Sequence, residues 1–292
     1  MSDAANTRGR SVLLIGGKSA GKSNYLFRLW NAIDSGKGAL SKDGLPAELT
    51  YLDTGASALL SGTFAGRTAP ESLERVVIPV KATAGGASGE LVVPDAPGEQ
   101  FLQVYRARRW SAAWEELISE NCGCLLFVRT DADENVTPLD WATCYEKLGA
   151  TVEEHAIGDQ REPPTQVLLT EWLQFLRNAF TAVVGGAFNP RIGIVISAWD
   201  MVPADQQASG PGAWLKANFP MLYQFVMANR DAFEFEIFGV SVVSGDLQDP
   251  EFRKKYLGGN PDDFGSVVHQ LTGALQPSQD ICLPAAWALR FI

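Results

Sequence analysis

The chain has 292 residues, 46% of them hydrophobic, and a formal net charge of −10 at neutral pH. That apolar share is enough for the core of one large α/β domain or two small ones, and it excludes a disordered chain. The acidic balance argues against broad binding to nucleic acid or anionic membranes, which relies on clustered Lys and Arg. The short run Arg106-Ala107-Arg108-Arg109 does not reverse it. No stretch approaches the roughly 20 apolar residues of a membrane span. Met1 to Arg10 is polar and lacks a signal-peptide core, so the expected location is the cytoplasm.

After a flexible N-terminus over residues 1–10, the apolar run Ser11 to Ile15 predicts a strand and Lys22 to Ile33 a helix. Between them, Gly16-Gly17-Lys18-Ser19-Ala20-Gly21-Lys22-Ser23 matches the phosphate loop G-x-x-x-x-G-K-[ST]. The spacing has a chemical reason. Glycines let backbone N–H groups close round phosphates, Lys22 reaches the β and γ oxygens, and Ser23 offers its hydroxyl to Mg²⁺. A helix starting near Gly21 adds its positive end. The expected nucleotide-binding segment therefore runs from Gly16 to Asn24.

Further along, strands are predicted at Arg75 to Lys81, Glu90 to Pro94, Cys122 to Arg129, Arg191 to Ser197 and Phe235 to Val243. Helices are predicted at Ala112 to Glu120, Thr165 to Val184, Gly212 to Asn229 and Asp262 to Leu275. Alternation of strands and helices predicts a mainly parallel sheet with helices on both faces. The Gly-rich link from Ala82 to Ser88 is short enough for a hairpin, which makes one strand an antiparallel edge. The expectation is a three-layer α/β fold of the phosphate-loop NTPase type, with six strands in one domain over residues 11–292. Two stretches, 34–74 and 130–164, exceed ordinary loop length and are read as inserts. The second contains a helix-compatible run from Trp141 to Leu148. The apolar segment Asp280 to Leu289 packs back on the domain or on a partner, and the sequence does not choose.

Cys122, Cys124, Cys144 and Cys282, with only His155 and His269, show neither zinc spacing nor a disulfide framework. Cys122 and Cys124 fall on one face of a strand, as buried small residues. Of eight tryptophans, Trp110 and Trp114 lie one helical turn apart. They read either as core or as an exposed face for an effector.

The strand ending Val92-Val93-Pro94-Asp95 is followed by Ala96-Pro97-Gly98-Glu99-Gln100. An Asp there holds Mg²⁺ through a water, and the Gly98 amide senses a γ-phosphate. This run resembles the D-x-x-G switch of GTPases in the translation-factor and Ras-like class. The string Ser197-Ala198-Trp199-Asp200 follows a strand where that class has [NT]-K-x-D. Asp200 matches, while Ser197 and Ala198 replace the Asn and Lys. Ser244 and Gly245, after Val240-Ser241-Val242-Val243, stand where the class presents backbone to the base carbonyl.

Together, GGKSAGKS, Thr68, DAPGE, SAWD and SVVSG resemble a GTPase of the translation-factor-related class over residues 11 to about 275. The insert before the hairpin, the D-x-P-G-E form and the Trp-Asp pair are similar to the bacterial double-GTPase families, which are associated with conflict or defence systems. The resemblance implies GTP and GDP as ligands with Mg²⁺ as cofactor. By position, Ser23, Thr68 and Asp95 would hold the metal, and Asp200 would select guanine. Arg67, beside Thr68, would act as an internal arginine finger. Glu99 occupies the place of the water-orienting Gln, with Gln100 next. A carboxylate there is repelled by the phosphates, which implies slow hydrolysis accelerated by a protein partner or by self-association. The missing lysine leaves an ATPase reading open, and Glu99 leaves open a nucleotide-binding adaptor without catalysis. A kinase reading is weaker, since no basic lid run is present.

Overall fold

In a computed structural model of the chain, the described residues are 10–64, 75–94, 98–110, 112–118, 121–130, 135–136, 163–185 and 189–292. At the centre is β1 (Arg10–Gly16), buried from Ser11 onwards, which delivers the chain into the phosphate loop. Helix α1 (Lys22–Ser35) follows and ends at Gly36, whose left-handed backbone (φ 67°) donates its N–H back to Ala32 and Ile33. Eight consecutive or near-consecutive α1 residues from Tyr25 to Ile33 are buried, because the helix is covered on both sides.

The first insert has structure of its own. It forms β2 (Leu40–Lys42) and α2 (Leu49–Leu60) before β3 (Arg75–Ala82) and β4 (Ser88–Pro94) make the expected hairpin. Helix α2 lies so close on α1 that a Cβ on its Gly55 would run into the Phe27 ring. Trp30 Nε1 donates to Asp53 across the same contact at 2.9 Å. Next come α3 (Gly98–Ala107), the short α4 (Ala112–Glu115) and β5 (Cys122–Arg129). Of the second insert, Thr130, Asn135, Val136, Pro163 and Pro164 are described. The helix expected at residues 141–148 and the thiol of Cys144 lie outside the described residues.

The 20-residue α5 (Thr165–Val184) leads to β6 (Arg191–Ser197) and a 3-10 turn at Trp199–Met201. Then follow α6 (Ala204–Ser209), α7 (Pro211–Asn218), α8 (Pro220–Ala228) and β7 (Glu234–Ser241). The single helix predicted over residues 212–229 is two helices, broken at Phe219 (φ −131°, ψ 59°) ahead of Pro220. The residue before a proline is pushed out of helical backbone.

After β7 come α9 (Pro250–Gly258), a 3-10 turn at Pro261–Phe264, β8 (Ser266–His269), β9 (Gln276–Ser278) and α10 (Leu283–Ala288). The helix predicted at residues 262–275 is therefore absent, replaced by the 3-10 turn and β8, with β9 following. Val267 and His269 are buried while Ser266 and Val268 are less so, which is the period of a strand. The open edge of β7 supplies the pairing partner, with Val240 opposite Val267.

The sheet has nine strands in the order β2-β3-β4-β1-β5-β6-β7-β8-β9. The central run β4-β1-β5-β6-β7 is parallel, and the outer strands on both sides are antiparallel. The α/β architecture and its parallel centre are as expected; the three extra strands extend both edges beyond the predicted six. One face is covered by α1, α2 and α10. The other is covered by α3, α4, α5, α7 and α8. Segment 280–289 thus packs on its own sheet, with Ala285, Ala286 and Trp287 buried. Trp110 and Trp114 are core residues as well, 2% and 7% exposed, with ring centroids 4.9 Å apart. That disposes of an exposed effector face at these two rings. Cys122, Cys124 and Cys282 are buried and outside any disulfide, and burial raises the pKa of Cys124 and Cys282. Among the described residues, no group of three or more His, Cys, Asp or Glu is placed to hold a metal. No described helix is long and apolar enough to cross a membrane.

Candidate nucleotide-binding site

The parallel strands end together, and the loops leaving β1, β5, β6 and β7 form the site. β1 runs out at Gly16, where a Cβ would stand 2.9 Å from Phe127 Cβ and 3.0 Å from its carbonyl oxygen. Only a glycine allows the chain to turn away there. Ser19 (φ 57°) and Gly21 (φ 87°) adopt left-handed backbone, which turns successive N–H groups towards a common centre. Lys22 Nζ donates to the carbonyls of Gly16 at 2.6 Å and Gly17 at 2.9 Å. The loop is therefore closed around its own ammonium group. Ser23 and Asn24, half-buried, occupy the first turn of α1, while Lys18 is exposed and Ala20 is buried.

Two neighbouring strands brace this loop. Arg129, the last residue of β5, donates from Nη1 to the carbonyl of Ser19 at 2.8 Å. Ser197, the last residue of β6, lies against Gly21, so that a Cβ there would meet Ser197 Cβ at 3.1 Å. Its hydroxyl reaches the Val128 carbonyl at 3.4 Å. Ser197 thus contacts the phosphate loop from the position where the resemblance has an amide side chain.

Ala198 takes left-handed backbone (φ 54°), and its carbonyl accepts from Thr130 Oγ1 at 3.1 Å. The next residue, Trp199, is 2% exposed. Its ring covers Gly239 of β7 so closely that a Cβ there would stand 2.5 Å away. Trp199 also meets Trp214 edge-on, with centroids 6.4 Å apart. The tryptophan therefore anchors the turn that carries Asp200. The Asp200 N–H donates to the hydroxyl of Ser241 at 2.9 Å, and Ser241 is buried.

Ser244 and Gly245 lie beyond that point, both half-buried, between Val243 and Leu247 of a small core that includes Tyr256 of α9. Ser244 has left-handed backbone (φ 54°) and pairs its hydroxyl with that of Ser266 at 3.3 Å. A Cβ on Gly245 would run into the Phe252 ring.

Among the expected site residues, the structure brings Gly16 to Asn24, Ser197 and Asp200 together. Gly98, Glu99 and Gln100 open α3, but their side chains lie outside the described residues. Thr68, Arg67 and Asp95 lie outside the described residues altogether. Sequence reasoning missed two residues. Arg129 is signalled by a charge ending an otherwise apolar strand. Ser241 is signalled by register, since Val240 pairs with Ser197 and places the next residue level with Ala198.

Beside the phosphate loop lies a cavity of about 230 Å³, bounded by Gly17, Lys18, Leu102 of α3, Arg129 and Trp172 of α5. Its apolar wall belongs to the core under α3 and α5. Next to Trp172 in the chain, Glu171 pairs with Arg108 at 3.4 Å, and Arg108 also stacks over Phe175, tying the end of α3 to α5.

Comparison with solved structures finds GTPases. The Roco2 RocCORdC fragment of Methanosarcina barkeri, bound to GDP, is 11% identical with a TM-score of 0.33, covering 88% of this chain and 52% of that one. The signal recognition particle receptor SRb-GTP/SRX complex of Chaetomium thermophilum is 16% identical, with a TM-score of 0.39 and coverage of 81% and 92%. The Ski7 GTPase-like domain of S. cerevisiae, bound to GDP and inorganic phosphate, is 17% identical, with a TM-score of 0.41 and coverage of 80% and 43%. The chain thus spans about half the length of the Roco2 fragment. No curated protein matches the sequence. A family model for Double-GTPase 1 matches residues 13–288, and the chain belongs to that family.

Proposed function

We propose that the protein is a Mg²⁺-dependent GTP-binding switch that hydrolyses GTP slowly until a partner protein accelerates it. One observation supports this best. A chain of contacts runs from the Ser19 carbonyl through Arg129, Thr130 and Ala198 to Asp200 and Ser241, coupling the phosphate segment to the base-reading segment. Lys22, held inside the loop, neutralises phosphate charge; the amides from Gly17 to Ser23 bind the phosphate oxygens. The Asp200 carboxylate accepts from the guanine ring N–H and 2-amino groups. The amide of Val242, directly after Ser241, meets the base carbonyl, a place the sequence reading gives to Ser244 and Gly245.

The donor set suits Mg²⁺, which prefers oxygens and keeps several waters beside one or two protein ligands and the phosphates. Ser23 supplies a hydroxyl in the first turn of α1, with Thr68 and Asp95 completing the set. When bound, Mg²⁺ supplies charge neutralisation across the phosphates. Arg67 adds a cation in cis. The Gly98 amide registers the terminal phosphate, and Glu99 with Gln100 borders the attacking water. Because a carboxylate at Glu99 opposes the phosphate charge, the rate without a partner is low.

Ala198 places no side chain over the base, so base choice rests on Asp200. Titration of nucleotide-free protein with fluorescent GDP, displaced by GTP, GDP, ATP or ADP with and without Mg²⁺, tests the reading. Selective displacement by guanine nucleotides is expected; equal or better displacement by ATP overturns the guanine assignment. A single-turnover rate at the level of ordinary enzymes, in the isolated protein, overturns slow hydrolysis.

A further inference from the structure

We propose that Lys18 is a catalytic residue of this site: a cation in cis that meets the terminal phosphate of the bound nucleotide from the cavity side of the loop. The inference rests on the nucleotide-binding reading above and extends it to a residue outside the loop's consensus positions.

Four observations carry it. Lys22 Nζ is bonded to the carbonyl of Gly17, so a single peptide unit separates that ammonium from the Cα of Lys18. Lys18 is exposed, and its side chain makes no hydrogen bond or ion pair among the described residues. It lines the cavity that also holds Arg129, and no carboxylate is among the described residues around that cavity. In a chain with ten excess negative charges, Lys18 and Arg129 on one cavity, with no acid among its described lining residues, favour an anion there. Finally, the opposite wall of the cavity includes Leu102 of α3, one turn after Gly98 and Glu99. The cavity therefore lies on the side of the switch segment, while Ser197, Asp200 and Ser241 form the base side. Arg129 is committed to the Ser19 carbonyl and acts as a positioning residue. Of the two cations on this cavity, Lys18 is the one left for the ligand.

In the hydrolytic step, a water oxygen bonds to the γ-phosphorus as the bond to the β–γ bridging oxygen breaks. The electron pair of that bond stays with the GDP oxygen. One water proton remains on inorganic phosphate and the other passes to solvent. Negative charge grows on the bridging and γ oxygens, and a second ammonium beside Lys22 stabilises it.

The test compares wild type, Lys18→Ala and Lys18→Arg by the ratio of affinities for GDP and a non-hydrolysable GTP analogue, and by single-turnover hydrolysis. Lys18→Ala is expected to weaken the triphosphate analogue about tenfold, the scale of one lost charge-assisted bond, while GDP affinity changes less than twofold. Hydrolysis is expected to fall on the order of a hundredfold, with Lys18→Arg restoring most of both. An unchanged affinity ratio and rate in Lys18→Ala overturns the proposal. Equal loss of both nucleotides in a folded variant also overturns it, since Lys18 would then only shape the loop. If wild type prefers adenine nucleotides, the guanine assignment fails separately, and the same ratio is read with ADP and a non-hydrolysable ATP analogue.

Discussion

The backbone amide of Asp200 donates to the hydroxyl of Ser241 at 2.9 Å, in a place where Ser241 is 1% exposed. The bond joins the turn after β6 to the end of β7, so the orientation of the Asp200 carboxylate depends on a residue 41 positions away. Replacing Ser241 by Ala leaves a half-buried N–H without its acceptor, at a cost of about 1–3 kcal/mol. The Ser241→Ala variant is expected to lose roughly tenfold in GDP affinity, the equivalent of about 1.4 kcal/mol, with a smaller loss for inorganic phosphate mimics that do not carry a base. Competition titration against fluorescent GDP measures it. Unchanged affinity and base selectivity would show that Asp200 is positioned without Ser241.

Arg129 holds the opposite side of the site. Its bond to the Ser19 carbonyl fixes a peptide whose serine sits in left-handed backbone, a conformation that costs a non-glycine residue free energy. Arg129→Ala removes a charged donor worth about 1.5–3 kcal/mol. Nucleotide affinity is expected to drop at least tenfold for GDP and GTP alike, while far-UV circular dichroism stays native. Selective loss of GTP alone would instead place Arg129 on the terminal phosphate.

How much of this was legible beforehand depends on how tightly chemistry restricts the residues. The phosphate loop stands out because only glycine tolerates Phe127 beside Gly16, and because lysine and serine must fall at fixed steps. The base side is harder to read. Ser241-Val242-Val243 looks like continuing strand, so the sequence draws attention to the turn-like Ser244-Gly245 beyond it, and the register that sets Ser241 beside the Asp200 turn is a long-range pairing that local pattern does not contain. Residues 262–275 mislead in a similar way. Val267, Leu271 and Leu275 are spaced as on a helix, yet the free edge of β7 pairs with Val267 and imposes a strand. Propensity yields to a long-range partner that local pattern does not contain. A charge such as Arg129 at a strand end usually meets only solvent, so the sequence does not single it out.

Asp262 supplies a pH-dependent tie between α1 and the segment before β8. Its carboxylate accepts from Lys37 at 2.6 Å and from the buried Arg28 at 3.2 Å. The Lys37 hydrogen bond, then that of Arg28, hold the Asp262 pKa below its ordinary value against the opposing effect of burial. With the folded pKa depressed, the stabilisation is complete above the unfolded value, near pH 4, and is lost as pH falls through the folded value. Asp262→Asn leaves the buried Arg28 with its bond to the Pro261 carbonyl but without its carboxylate. The expected loss is about 1–3 kcal/mol at pH 7. Urea unfolding at pH 7 and pH 3 checks the sign: the gap between wild type and variant must narrow at the lower pH. A gap that widens on acidification would contradict the pairing.

Gly239 offers a test of how the turn that carries Asp200 is anchored. It lies mid-sheet in β7, opposite Ile196, and its missing side chain is the floor on which Trp199 rests. In Gly239→Ala the new Cβ falls 2.5 Å from the indole. The ring is 2% exposed and boxed in by Trp214, so relief comes from moving the turn that carries Asp200 rather than from a rotamer change. Overpacking of this kind costs about 1–3 kcal/mol. The variant is expected to unfold at lower temperature and to lose guanine selectivity more than phosphate binding. Pairing it with Trp199→Leu removes the clash while leaving Asp200 in place. If the two changes are coupled as the packing requires, the double variant loses less than the sum of its parts. Additive losses would mean that Trp199 and Gly239 act independently and that Asp200 is held by Ser241 alone.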